Sequence, residues 1–455
     1  MTNYGQGLEL PVIAKIAIEE INARGTQTPQ GMPTPSGTEI TEGLHTTGTQ
    51  TPVCTYNEVE RIVETYLPNV STALKIALAV ATSGIRKNRV MLWLLLVGSP
   101  SSGKTDLVRL FKHSKKVFSV DNLTLNAFIS GERPTDSQKV HDLLPKLDSK
   151  CLIVKDWTVI FSLDERMTKK IIGDMVGAYD KSLAKFSSRR GQIVYNSEFS
   201  HLGCITPSTL NKHHNYLNMI GPRFLSYIIP ELSEADENKS FNAIFGEDDR
   251  QEKEEKTSQI VSNYLDELNN RDISMVEAIN TDVQKYLRIA SRFMAKARGI
   301  VITQSAKFLN EESQEVTYYE PLDVQIEQPW RAVQQLMVLS KYLAIVTEKV
   351  KVGPEECQIV KEIVTSSMPA DRSQALKALK NSLDGEVTAK ELADDTNKST
   401  KTARRLLDEL IFLGIVEKDK GSGTRAASYK LVKEFKDFIC MDSSEFMSHK
   451  INEKS

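Results

Sequence analysis

The chain has 455 residues, with 58 basic and 60 acidic side chains and a formal net charge of −2. That balance excludes a globally basic nucleic-acid coat but leaves room for a local basic surface. A composition that is 40% hydrophobic and 26% charged excludes a wholly disordered or collagen-like chain, and the length predicts roughly three domains at about 150 residues each.

Residues 1–24 fit one short amphipathic helix, with Leu8, Ile13, Ile16, Ile18 and Ile21 as its apolar positions. Residues 25–55 are dominated by Gly, Thr, Pro, Gln and Ser, too polar to offset their ordering entropy, and read as a disordered linker. Helical spacing resumes through Val59, Ile62, Val63 and Tyr66, then Leu74, Ile76, Leu78 and Val80. Four short apolar runs read as buried strands: Val90–Val97, Cys151–Asp156, His201–Thr206 and Arg223–Pro230. Strands alternating with helical segments predict an α/β parallel sheet over 56–230. Residues 231–256 are rich in acid and read as a linker or exposed insertion. Residues 257–370 carry helical patterns, 371–435 look like a small separate domain, and 436–455 read as a tail. The longest apolar run, Val90–Val97, is too short to span a bilayer, and the N-terminus has no basic-then-apolar leader pattern.

The chemistry is concentrated in Gly98-Ser99-Pro100-Ser101-Ser102-Gly103-Lys104-Thr105, which matches G-x-x-x-x-G-K-[ST] between a buried strand and an amphipathic helix. Glycines let such a loop curl so that its N–H groups face phosphate, and the following helix aims its positive end at the same anion. Lys104 would reach the β- and γ-phosphates of ATP and Thr105 would hold Mg²⁺. Asp156, ending the next buried run, is the candidate partner carboxylate for the metal. The residue after it is Trp157, where many P-loop ATPases carry the Glu that polarises water. Asp164 and Glu165 are candidate substitutes.

In this order of motifs, 97–231 resembles the ATPase core of AAA+ proteins, in the branch of the minichromosome-maintenance helicases and their relatives in phages and mobile elements. GCITPSTLNKHHNYLNMIGPRF resembles the sensor-1 strand and the later Ser-Arg-Phe. EQPWRAVQQLMVLSKYLAIV resembles the sensor-2 helix. The resemblance implies catalytic roles for Lys104, Asp156, Thr206, Arg223 and Arg331, with Arg223 acting on ATP held by a neighbouring subunit. It also implies a DNA-facing hairpin around YDKSLAKFSSRRG, making Lys181 and Lys185 candidate DNA contacts. Thr206 stands where the family usually has Asn, and nothing before residue 70 resembles the family's N-terminal oligonucleotide-binding domain.

Residues 371–432 read as helix, helix, turn, helix and wing. Thr388-x-x-Glu391 forms a capping box, Ser399 caps the third helix, and two strands follow. The pattern looks like a winged helix. Lys398, Lys401, Arg404 and Arg405 cluster off the apolar stripe of its third helix, where a recognition helix meets DNA, and Lys420 and Arg425 sit on the wing. The five cysteines form no Cys-x-x-Cys pair and fit a reducing compartment. Adjacent His213 and His214 make no evident zinc site.

Taken together, the sequence predicts an α/β AAA+ P-loop core with a helical lid and a C-terminal winged helix. It predicts an ATP- and Mg²⁺-dependent enzyme acting on DNA as a homo-oligomeric ring, cytoplasmic or nucleoid-associated, without membrane contact. Three modes stay open: a helicase-like motor, an ATP-switched initiator or loader, and an ATP-regulated transcription or signalling protein.

Overall fold

The alternation of side chains along one strand organises the core. In the computed structural model, Leu94 and Leu96 of Trp93–Val97 enter one apolar cluster, while Trp93, Leu95 and Val97 enter a second on the opposite face. The strand is therefore central, with helices on both sides. The structure describes residues 54–133, 141–213, 222–245, 249–309, 315–382, 385–419 and 426–452. The expectations for 1–53, His214, Lys420 and Arg425 lie outside these.

Helix α1 (Tyr56–Tyr66) opens on a capping box in which Thr55 and Glu58 exchange bonds, and it buries Tyr56, Val59, Val63 and Tyr66. Helix α2 (Ser71–Ser83) is apolar on nearly every side and accordingly buried. Then come β1 (Trp93–Val97), α3 (Lys104–Arg109), β2 (Val117–Val120), α4 (Leu144–Leu147), β3 (Cys151–Val154), α5 (Trp157–Phe161) and α6 (Glu165–Tyr179). A hairpin of β4 (Ser182–Ser187) and β5 (Gly191–Asn196) precedes β6 (Ser200–Ile205), α7 (Pro207–Lys212) and β7 (Phe224–Ile228). The main sheet runs β2-β3-β6-β1-β7 with every pairing parallel. One strand, β6, thus separates the P-loop strand from the strand leading to Asp156. No described helix is long and apolar enough to cross a membrane.

The acidic stretch read as a linker or exposed insertion is helical: α8 (Glu234–Phe245) and α9 (Arg250–Leu268). Its acids are absorbed by ion pairs one turn apart, Lys253–Asp249 and Lys256–Glu252, and by Lys112 and His113 reaching Glu255. Helix α10 (Thr281–Ala297) leads into a long antiparallel pair, β8 (Ile300–Leu309) and β9 (Glu315–Gln325), between the two stretches of helical pattern in the region read as a helical lid. Helices α11 (Trp330–Val346) and α12 (Pro354–Ser366) complete that part.

The C-terminal module contains α13 (Ala370–Asn381), β10 (Glu386–Thr388), α14 (Ala389–Thr396), α15 (Thr400–Phe412), β11 (Val416–Asp419) and β12 (Ser428–Leu431). Its sheet is ordered β10-β12-β11 and antiparallel. Both caps sit where their residues demand: Glu391 N donates to Thr388 Oγ1, and Thr402 N to Ser399 Oγ. The expected tail is instead α16 (Lys433–Cys440) and α17 (Ser443–Asn452). Phe435, Phe438 and Phe446 pack there against Tyr286 and Phe293 of α10, because apolar positions three and four apart need a buried face.

Arg372 ties this module to the rest. Its buried guanidinium donates to Ala297 O at 2.9 Å and Gly299 O at 2.6 Å, satisfying carbonyls at the end of α10, and faces Glu409 of α15. Lys296 Nζ donates to Gly414 O from the other direction.

Candidate functional site

The loop between β1 and α3 is curled by two left-handed residues, Ser101 (φ 63°) and Gly103 (φ 75°). Gly103 tolerates this at no cost, whereas Ser101 is held there against its preference. A Cβ on Gly98 would stand 2.5 Å from Ser102 Oγ, so a side chain there would turn that hydroxyl away from the loop. Lys104 is buried and folds back over the loop. Its Nζ donates to Gly98 O (2.8 Å), Ser99 O (2.6 Å) and Ser102 Oγ (3.1 Å). Burial lowers its pKa, and the Asp156 carboxylate opposes that shift. An ammonium satisfied only by loop oxygens, above a ring of curled backbone, suits a polyphosphate that would replace those oxygens. Thr105, second in α3, and Asp156, beyond the end of β3, are the residues that could hold an accompanying Mg²⁺.

Two strand ends frame the loop. Gly98 N donates to Ile205 O, so the end of β6 lies against it. Thr206 follows directly and caps α7, its Oγ1 2.9 Å from Thr209 Oγ1. Asp156, beyond the end of β3, caps α5 by accepting from Thr158 N at 2.8 Å. The structure thus brings Lys104, Thr105, Asp156 and Thr206 to the same end of the parallel sheet, where such sheets place ligands. A cleft of about 370 Å³ continues from the loop between Leu67, Asn69, Val70, Ile229 and Leu232. Its apolar wall beside the phosphate loop suits a nucleobase. Sequence reasoning missed this wall; its one local signal is the Pro68-Asn69 turn between two helical patterns.

Trp157 is fully buried beneath the sheet. Its Nε1 donates to His201 Nε2 at 3.1 Å, and His201 Nδ1 in turn donates to Leu152 O at 2.9 Å. That pair of bonds fixes the neutral Nδ1–H tautomer, and burial depresses the His201 pKa to about 3. Gly203 makes room, because a Cβ there would lie 2.2 Å from Trp157 Nε1. The position after Asp156 therefore belongs to the core. Asp164 and Glu165, the candidate substitutes, are engaged locally. Asp164 caps α6 by accepting from Met167 N, and Glu165 pairs with Lys169, both one helix away.

Arg223 lies at the other end of the sheet. It precedes Phe224, which pairs with Trp93 at the start of β1, so about six residue steps separate its level from Gly98. At 3.3 Å per step that is roughly 20 Å, beyond the reach of one arginine. Its Nη2 contacts Asp180 Oδ2 at 3.2 Å, and its guanidinium sits 5.6 Å from the centre of the Tyr179 ring. Arg331, at the start of α11, sits 5.7 Å from the same ring. Tyr179 donates to Met91 O and accepts from Gln335 Nε2, which also donates to Arg223 O. Burial pushes the Tyr179 hydroxyl up to about 12. Neither Tyr179 nor Asp180 stood out in the sequence.

The expected DNA-facing lysines turn inward. Lys181 pairs with Glu198 at 2.8 Å and donates to Asn88 O. Lys185 donates to Ile129 O (2.8 Å) and Asn126 Oδ1 (3.0 Å). Their donors are taken up by part-buried carbonyls, an amide oxygen and a carboxylate. The outward face instead shows Phe186, 79% exposed, and Val194. Just before α15, Lys398 pairs with Asp371; on α15 Arg405 pairs with Glu409, while Lys401 and Arg404 are exposed.

No family model matches the chain. No curated protein matches it either. Among solved structures it is similar to the crystal structure of a full-length MCM homolog from Methanopyrus kandleri, at 12% identity and a TM-score of 0.42, over 69% of this chain. The chain spans 60% of that protein's length, less than two thirds.

Proposed function

We propose that the chain is an AAA+ ATPase that acts on DNA as a homo-oligomeric ring, as a helicase-like motor in the cytoplasm or at the nucleoid. The observation that carries this is the separation of Lys104 and Arg223 to opposite ends of neighbouring parallel strands. A single chain cannot bring both to one phosphate, whereas a second copy set head to tail can.

In this reading Lys104 exchanges its three loop oxygens for phosphate oxygens, and Thr105 and Asp156 hold the metal. Mg²⁺, when bound, would offset charge on the phosphates. Arg223 of one subunit, with Arg331 beside it, stabilises charge developing at the next subunit's site. Thr206 orients groups beside the leaving phosphate. The exposed Lys401 and Arg404 of α15, with Lys398 and Arg405 one exchange of partner away, supply the phosphate-contacting surface of a winged helix. Hydrolysis then depends on assembly.

One observation favours a slower relative of this mechanism. Trp157 occupies the place of a water-polarising acid, which suits an ATP-switched initiator or loader. ATPase rates with and without single-stranded and duplex DNA, for the wild type, Lys104→Ala and Arg223→Ala, test the reading. DNA stimulation lost in both variants, and partly regained when the two are mixed, supports a composite site. A low rate indifferent to DNA and to Arg223→Ala overturns the motor.

A further inference from the structure

The cleft beside the phosphate loop is lined by more than the α/β core. Glu237 and Ser240 of α8 and Arg250, the first residue of α9, line it together with residues 99–103 of the loop. Asp106, Glu231 and Glu237 bring carboxylates to this cleft, and Arg250 is the only cation among the residues that line it. The other cations in the first turns of α9 are committed: Lys253 pairs with Asp249 and Lys256 with Glu252. Arg250 is exposed and has neither a hydrogen bond nor an ion pair among the described residues. Its guanidinium lies over the Tyr66 ring, 6.0 Å from the ring centre. That ring is buried, and its hydroxyl donates to Glu254 Oε2 at 3.3 Å. Arg250 and Glu254 stand four residues apart on one face of α9, so the helix holds Tyr66 by ring and hydroxyl together.

We infer that Arg250 is a nucleotide-binding residue whose guanidinium stacks on the base of ATP in this cleft. This rests on the proposed ATPase reading. A guanidinium is flat and weakly hydrated, so one that lies on a fixed ring keeps its second face for another flat group. The apolar wall of Leu67, Val70 and Ile229 covers one side of the base, and Arg250 covers the other. Its charge also offsets the cleft's carboxylates, which would otherwise repel an anionic ligand. The contact comes from α9, outside the phosphate-loop motif.

The test is equilibrium binding of a fluorescent ATP analogue to the full-length protein, displaced by unlabelled ATP, ADP or inorganic tripolyphosphate. Arg250→Ala weakens ATP and ADP alike by about three- to tenfold, the range of one partly desolvated contact between a cation and a ring. Tripolyphosphate, which has no base, binds as it does to the wild type. Arg250→Lys keeps the charge without the plane and recovers little of the loss. The melting temperature without nucleotide stays at the wild-type value, because Arg250 is exposed and holds no bond that the fold needs. Wild-type affinity for ATP in Arg250→Ala overturns the contact. An equal loss for tripolyphosphate, or full recovery in Arg250→Lys, overturns stacking on the base. A Lys104→Ala protein that binds ATP as tightly as the wild type overturns the nucleotide site itself, and the contact with it. Binding lost in Lys104→Ala but kept in Arg250→Ala overturns the contact alone.

Discussion

His201 links the residue that follows Asp156 to acid stability. Its ring is buried and neutral, with a pKa of about 3 against 6.5 for a free imidazole. Between those values the unfolded chain binds a proton that the folded chain refuses, so folding stability rises with pH across the window. The contribution is complete above pH 6.5 and is lost as pH falls toward 3. From pH 7 to pH 5, at 1.36 kcal/mol per unit, the loss is about 2 kcal/mol. His201→Gln keeps an acceptor for Trp157 Nε1 without a titrating group. Urea unfolding of both proteins at pH 7 and pH 5 isolates the term, whatever the substitution costs at neutral pH. The wild type's advantage over the variant should shrink by about 2 kcal/mol on acidification. A difference that is constant with pH would refute the buried neutral tautomer, and with it the account of why Trp157 is fixed in the core.

Three further outcomes are expected. Gly98→Ala forces Ser102 Oγ away from the loop and should weaken binding of a fluorescent ATP analogue by about tenfold or more, with partial recovery in Gly98→Ala/Ser102→Ala; unchanged affinity counts against the curled-loop site. Trp157→Glu buries a carboxylate where Trp157 is fully enclosed and should destabilise by more than about 4 kcal/mol without raising turnover, as thermal melts and ATPase assays will show. Lys401→Ala/Arg404→Ala should reduce the slope of log DNA affinity against log salt by about 2, read from titrations between 50 and 200 mM salt at roughly 0.9 per duplex phosphate contact; Lys181→Ala should leave that slope alone.

Local signals made much of the molecule readable before any coordinates. The phosphate loop is a contiguous motif, and both caps in the C-terminal module place an oxygen three residues before the N–H it satisfies. The ends of the parallel sheet were implicit too, since Gly98 follows a strand and Arg223 precedes one. The failures share one cause, that burial is decided by partners far along the chain. Hydropathy alone would send Phe186 inward and Lys185 outward, although strict alternation puts Lys185 on the face of Leu183. The hairpin does the reverse, because Leu183, Ile193 and Tyr195 claim the inner face and Ile129 O accepts the ammonium. Phe435, Phe438 and Ile439 recur at helical spacing, yet only Tyr286 and Phe293 of α10 show what they cover. The β-branched runs in β8 and β9 carried a strand signal that the surrounding helices masked.

The end of α10 is gripped from two sides. Arg372 holds the carbonyls of Ala297 and Gly299, while Arg298 between them donates to Phe224 O at the start of β7 and to Ser367 O after α12. The strand beginning beside Arg223 and the module carrying α15 therefore share one axle without slack. A displacement of the start of β7 would therefore carry the C-terminal module with it, and the position of α15 is set by these bonds and not by the length of a tether.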